Sequence, residues 1–173
     1  MKEIYLGRQP IYDANFRLEG YELSYHPTDA ENAGLLDSEL SSSQVLFDTL
    51  AEVGLERLVG SGKAFLSAAR ELIVQGYLQH TTASSPQMVF QVSTDIMVDT
   101  LLIDALRTLR QQGYHFLLDD YADNEAYQAL LDIADYARID MTTTPASEAH
   151  RIITRLKQRG VALIAGGIED QEV

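Results

Sequence analysis

The sequence predicts an α/β fold built on a mostly parallel sheet. Short apolar segments alternate with longer segments whose apolar residues recur at helical spacing. The apolar segments end in polar or acidic residues, most plainly in Tyr114-His115-Phe116-Leu117-Leu118-Asp119-Asp120-Tyr121. A run of this kind reads as a strand buried on both faces. Acids at its C-terminal end sit where α/β folds place their chemistry. Neighbouring side chains on a strand point to opposite sides, so Asp119 and Asp120 have different roles. With other acids nearby they form a ligand set for Mg²⁺, Ca²⁺ or Mn²⁺. Taken alone, the pair reads more simply as a strand end followed by a solvated acidic turn.

The chain has 173 residues, 46% of them hydrophobic, which fits one domain with a sizeable core. It has no cysteine, so disulfides and thiolate metal sites are excluded. No apolar run is long enough to span a bilayer, and no signal-peptide pattern opens the chain. A cytoplasmic protein without membrane contact is the expectation. The formal net charge of -13 disfavours nucleic-acid binding, because an acidic surface repels phosphate backbones.

Each element has a local reason. Ile4 to Tyr12 and Leu18 to Tyr25 read as strands. Asp13-Ala14-Asn15 is a short turn between them, and so short a link favours an antiparallel pair. Thr28 to Ser43 reads as a polar surface loop with a short helical piece. Gln44 to Val59 carries apolar residues at helical spacing, with Ser42 or Ser43 as cap and Gly60 as terminator. From there the pattern is regular. Strand Lys63 to Ala68 precedes helix Ala69 to Gln79. Strand Gln87 to Ser93 precedes a helix whose expected buried face is Ile96, Met97, Leu101, Leu102, Ala105, Leu106 and Leu109, stopped at Gly113. Strand Tyr114 to Asp119 precedes helix Asn124 to Ala134. Strand Tyr136 to Asp140 precedes a helix opened by Thr144-Pro145, with Ala149, Ile152, Ile153 and Leu156 inward and Gly160 as its stop. Val161 to Ala165 is the seventh strand. A closed barrel of this kind has eight strands, so the expected barrel is C-terminally incomplete.

The strand ends, taken together, carry a resemblance. Gln9-Pro10-Ile11, Gly20-Tyr21-Glu22-Leu23, Phe65-Leu66-Ser67, Phe90-Gln91-Val92-Ser93-Thr94, Leu118-Asp119-Asp120-Tyr121, Arg138-Ile139-Asp140 and Ile164-Ala165-Gly166-Gly167-Ile168-Glu169 occur in that order. The series resembles the EAL domain, the cyclic-di-GMP phosphodiesterase fold. Arg8-Gln9-Pro10-Ile11-Tyr12-Asp13 looks most like the subgroup in which an EAL domain precedes an HDOD domain. The resemblance runs from about Ile4 to Glu169. It implies a TIM-like (β/α)₈ barrel whose first strand is antiparallel, here read as one domain over 1–173 that stops before the eighth strand and lacks the HDOD domain.

The resemblance also implies a chemistry, phosphodiester hydrolysis by water activated between two divalent cations. This sequence departs from the implied ligand set at several positions. Glu22, Asp119, Asp120 and Glu169 match it. Ser67 stands for an Asn, Gln91 for a metal-binding Glu, Thr94 for a loop-stabilising Glu, Arg138 for the active-site Lys and Gly166 for a further Glu. His26 stands where an Arg would contact phosphate. Hard cations need carboxylate charge and oxygen count. The expectation is therefore a degenerate, catalytically inactive site whose vestiges are Glu22, Ser67, Gln91, Asp119, Asp120, Arg138, Gly166 and Glu169. No cofactor is expected. Mg²⁺ or Mn²⁺ would be held at most weakly, by Glu22 and Asp119.

Other residues have bland readings. His26, His80, His115 and His150 lack metal-ligand spacing. Tyr114, Tyr121, Tyr127 and Tyr136 suit either packing or stacking on a guanine. Gly166-Gly167 reads as a turn. The expected function is a signalling module acting through a protein partner or an HDOD domain. A cyclic-di-GMP sensor without hydrolysis and a weak residual phosphodiesterase are the alternatives. Unpaired edges on the first and seventh strands make a homodimer an expected remedy.

Overall fold

The computed structural model describes residues 5–13, 15–26, 39–80, 86–93, 95–122 and 127–167. Seven strands form one sheet in chain order. They are β1 (Tyr5–Tyr12), β2 (Leu18–His26), β3 (Lys63–Ser67), β4 (Met88–Ser93), β5 (His115–Asp119), β6 (Tyr136–Asp140) and β7 (Ala162–Gly166). β1 and β2 are antiparallel, and every later neighbour pair is parallel. The short link dictates the antiparallel pair. Asp13 Oδ1 accepts the backbone N–H of Asn15 and of Arg17, both at 2.8 Å, which turns the chain sharply. Gly20 allows β2 to meet β3, since a Cβ there would lie 2.2 Å from the Lys63 carbonyl oxygen.

The sheet curls into most of a barrel. Lys63 and Phe65 of β3 touch Tyr136 of β6, and Glu22 of β2 touches Arg138 of β6. These strands stand three and four places apart in the sheet order, and only a curled sheet brings them together. Alternation along the strands then divides the core in two. Phe65, Val89, Leu117 and Tyr136, flanked by Ile11 and Ile164, fill the inside of the barrel. Leu66, Phe90, Phe116, Leu118, Ala137 and Ile139 face outward into the larger core under the helices.

The helices are more broken than their periodicity predicts. α1 (Glu39–Val53) and α2 (Leu55–Val59) replace the single expected helix over 44–59. Gly54 separates them at φ 90°, a backbone that L-residues avoid. α1 also begins before the expected cap, so Ser42 and Ser43 do not start it. Ser43 is instead buried, donating from Oγ to the Ser67 carbonyl and accepting from the Ala69 N–H. Residues 28–38 of the expected loop lie outside the described residues. α3 (Arg70–Val74) is a short piece followed by a single 3₁₀ turn over Tyr77–His80, in place of one helix over 69–79. α5 (Gln128–Leu131) ends three residues short of the helix expected over 124–134, since the chain turns at 132–133, and residues 124–126 lie outside the described residues.

α4 (Thr100–Gln111) and α6 (Ala146–Gln158) keep most of their expected faces. In α4, Leu102, Leu106 and Leu109 are buried, and Asp99 caps the helix by accepting the Leu102 N–H at 2.9 Å. Ile96 and Met97 precede the helix, while Met97 and Leu101 are 64% and 65% exposed. The expected face was therefore too wide at its N-terminal end, because the periodicity ran across the cap. Gly113 and Gly160 stop α4 and α6 with positive φ, as expected. In α6, Pro145 takes the cap position rather than the first helical one, one residue later than expected. Ala149, Ile152 and Leu156 are its buried residues, with Ile153 half-buried.

Candidate functional site at the barrel mouth

The C-terminal ends of β2 to β7 form the mouth. Arg138, pointing inward from β6, is its hub. Its Nε donates to Asp119 Oδ1 at 2.5 Å, its Nη2 donates to Asp119 Oδ2, and its Nη1 donates to Glu22 Oε2 at 2.6 Å. One planar guanidinium thus grips Asp119 with two parallel bonds and reaches across the interior to β2. All three side chains are mostly withdrawn from water, each a fifth to a quarter exposed. Burial opposes the Arg138 charge. The hydrogen bonds to Asp119 and Glu22 outweigh that penalty and raise its pKa further above the ordinary arginine value.

Gly166 on β7 is shaped by the same side chain. A Cβ there would stand 3.3 Å from both Cγ and Cδ of Arg138. That is tighter than ordinary van der Waals contact, so the missing side chain and the arginine stem fit each other. Gly167, next along, has φ 71° and a position where a Cβ would lie 2.7 Å from Asp140 Oδ1 and from Thr142 Cγ2. Glycine is required there by both backbone and space, which agrees with the expected turn.

The two adjacent acids part as strand geometry demands. Asp119 turns inward to Arg138. Asp120 follows at φ 49° and is exposed, and its backbone N–H is accepted by Asp119 Oδ1 at 2.9 Å. Partial desolvation at the rim raises the Asp120 pKa, and Asp119, Asp140 and Asp95 add to the rise while Arg138 opposes it. Asp140 has the opposite shift. The Thr142 hydroxyl and N–H hold its carboxyl below the ordinary value. Asp95 and Asp140 were not singled out from the sequence. Asp140 ends β6 and stands within its strand-end segment, whereas the approach of Asp95 to Asp120 depends on the chain path after β4, which the sequence does not announce.

Gln91 lies deeper in the barrel. It is 5% exposed, and its Nε2 has no hydrogen-bond partner among the described residues. Ser67, its neighbour in register on β3, is exposed at the rim. Glu169 and Thr94 lie outside the described residues, as does the side chain of His26. The structure therefore brings together Glu22, Asp119, Arg138 and Gly166, with Gln91 below and Asp120 at the rim. The tyrosines resolve toward packing. Tyr114, Tyr121 and Tyr136 are buried, and the Tyr114 hydroxyl donates to the Leu78 carbonyl. His115 Nδ1 lies 3.3 Å from Asp135 Oδ2, away from the mouth.

A two-cation centre does not fit these residues. Glu22 and Asp119, the two carboxylates that point at one another, already share a guanidinium. Gln91 contributes a neutral amide with a buried donor, and Gly166 contributes nothing. Among the described residues, no three acidic or imidazole side chains converge as a metal cage.

No family model matches the chain. The chain is 22% identical over 174 residues to the uncharacterized protein YuxH of Bacillus subtilis, which covers 98% of this chain and 42% of that protein. It is 22% identical over 144 residues to the cyclic di-GMP phosphodiesterase CdgJ of Vibrio cholerae, covering 82% of this chain and 32% of that one. The chain thus spans less than half the length of the curated relatives it matches. Among solved structures, the Bacillus subtilis YkuI protein, with an EAL domain and in complex with cyclic-di-GMP and calcium, superposes with a TM-score of 0.72 at 17% identity. That match covers 96% of this chain and 49% of the other. The fold is that of the EAL domain. The antiparallel first pair and the curled parallel strands that follow are its incomplete TIM-like barrel, as the strand ends predicted. No helix among the described residues is long and apolar enough to cross a membrane.

Proposed function

We propose that this chain is a catalytically inactive EAL-fold signalling module that works in cyclic-di-GMP-related regulation through protein contacts. The observation that carries the reading is the ion-paired mouth. Glu22 and Asp119, the inward-facing carboxylates among the described residues of the implied ligand set, are engaged by Arg138, and the deeper position holds the neutral amide of Gln91. Metal-assisted hydrolysis needs cations held by free carboxylates. The mouth also gathers Glu22, Asp95, Asp119, Asp120 and Asp140 around Arg138, the one cation that the ion pairs of Glu22 and Asp119 show there among the described residues. Without bound cations that field opposes an anionic dinucleotide.

Exposed apolar groups support the protein-contact half of the reading. Tyr12, Phe16 and Leu18 are exposed at the β1–β2 turn, and Phe16 is 89% exposed with φ 58°. A bulky residue in a left-handed backbone, facing water, costs stability twice over. The same reading has the chain in the cytoplasm, beside an HDOD domain or another protein partner. It also allows copies to pair through β1 and β7, each of which has one strand neighbour among the described residues.

A second reading, a cyclic-di-GMP sensor without hydrolysis, is favoured by one observation. The unpartnered Gln91 Nε2 is a buried donor that a ligand oxygen would satisfy. Titration calorimetry with cyclic-di-GMP, with and without Mg²⁺ or Mn²⁺, separates the two. Absence of heat at high ligand concentration supports the protein-contact module. Micromolar binding without turnover supports the sensor, and turnover removes both.

A further inference from the structure

We propose that Arg138 is the resident cation of this site, built in permanently where an exchangeable divalent ion would otherwise sit, and that Gly166 is the vacancy that admits it. This rests on reading the barrel mouth as the remains of a cation centre. Three features of the chain converge on it.

The first is geometric. Glu22 comes from β2 and Asp119 from β5, yet their oxygens meet at one group. Two carboxylates directed at a common point inside a low-dielectric interior repel each other unless a positive charge lies between them. Here that charge is a guanidinium, with three of its five N–H donors committed. A divalent ion bridging the same oxygens would have to displace it. Displacement would leave a partly buried arginine without its two partners, a costly state.

The second is steric. Gly166 on the neighbouring strand β7 carries no side chain beside Arg138, and a Cβ there would stand 3.3 Å from Cγ and Cδ of the arginine stem. Arginine at 138 and glycine at 166 are complementary, so neither is an isolated loss. The third concerns charge. A further carboxylate at position 91 would restore the excess negative charge that calls for a divalent ion. The neutral amide there leaves Glu22 and Asp119 as the two carboxylates that the Arg138 fork engages, without a third charge beside them in the barrel interior.

The test is Mn²⁺ binding read by the electron paramagnetic resonance signal of free Mn²⁺, with thermal melting in the same buffers. The proteins are wild type, D119N, R138M, R138K and R138M/D119N. Wild type is expected to leave millimolar Mn²⁺ free and to melt at the same temperature in Mn²⁺ and in chelator. R138M keeps the stem and drops the charge. It is expected to melt lower in chelator, to bind one Mn²⁺, and to recover roughly 3–6 °C of melting temperature at saturating Mn²⁺. R138M/D119N should lose that response. R138K, whose ammonium cannot fork between two carboxylates, should gain a weaker response, and it decides the matter if R138M does not fold. Wild-type binding of Mn²⁺ that disappears in D119N overturns the proposal. So does a folded R138M or R138K that is as indifferent to Mn²⁺ as wild type. A hydrolysis assay on wild type, run alongside, reports on the inactive-module reading separately, because Arg138 can fail as resident cation without any turnover appearing.

Discussion

Asp120 sits just past β5 with a left-handed backbone and three acids around it. Its pKa is raised by partial desolvation and then by Asp119, so its charged form is disfavoured in the folded state. The sign follows directly. An acid with a raised folded pKa destabilises the fold above that pKa, and the penalty fades as pH falls through it. Replacing Asp120 by Asn keeps a residue that tolerates positive φ and removes the charge. D120N should therefore melt higher than wild type at neutral pH, and thermal scans across acidic pH should show the difference shrinking to nothing. Arg138 behaves oppositely. Its removal strands Glu22 and Asp119 together in a partly buried mouth. Because the three side chains keep some solvent contact, R138M should cost about 2 kcal/mol in urea unfolding rather than the larger loss of a fully buried pair. The identity of these residues was legible in the sequence through the order of strand ends. Their pairing was not. An arginine in place of a lysine and a glycine in place of a glutamate read as separate losses until side-chain reach across the barrel shows them filling one another's space.

The strands of this chain were easier to read than its helices, for a physical reason. A strand buried on both faces needs an unbroken apolar run, and each run here ends in a polar residue at the mouth. The helices depend on breaks. Gly54 divides α1 from α2 through a single positive φ, and the periodicity on either side continues as if nothing had happened. Asp99 likewise cuts α4 off from Ile96 and Met97, which share its period. The Asp99 side chain caps α4 and also pairs with Arg70 at 2.5 Å. D99A should lose about 1–2 kcal/mol, measured by chemical denaturation. At β2, G20A should be far more damaging. A methyl group 2.2 Å from the Lys63 carbonyl oxygen cannot coexist with the β2–β3 register. The expected outcome is loss of the cooperative unfolding transition, seen by circular dichroism.

At the scale of the whole molecule, the barrel is held from inside at two levels. Low in the barrel, Phe65, Val89, Leu117 and Tyr136 pack as an apolar plug, with Lys63, Glu19 and the Tyr136 hydroxyl joined beneath it. Above the plug, Arg138 ties β2, β5 and β6 together. The upper tie sits at the C-terminal mouth of the strands, where barrels of this kind place their chemistry. The proposed reading makes this site structural rather than catalytic, with the acidic mouth and the exposed β1–β2 turn as the surfaces proposed for protein contacts. That claim is tested most directly by incubating the pure protein with cyclic-di-GMP and excess Mg²⁺ or Mn²⁺ and following the linear product by chromatography. The account predicts no product above the buffer control. Linear product formed in proportion to enzyme, and abolished by D119A, would contradict it.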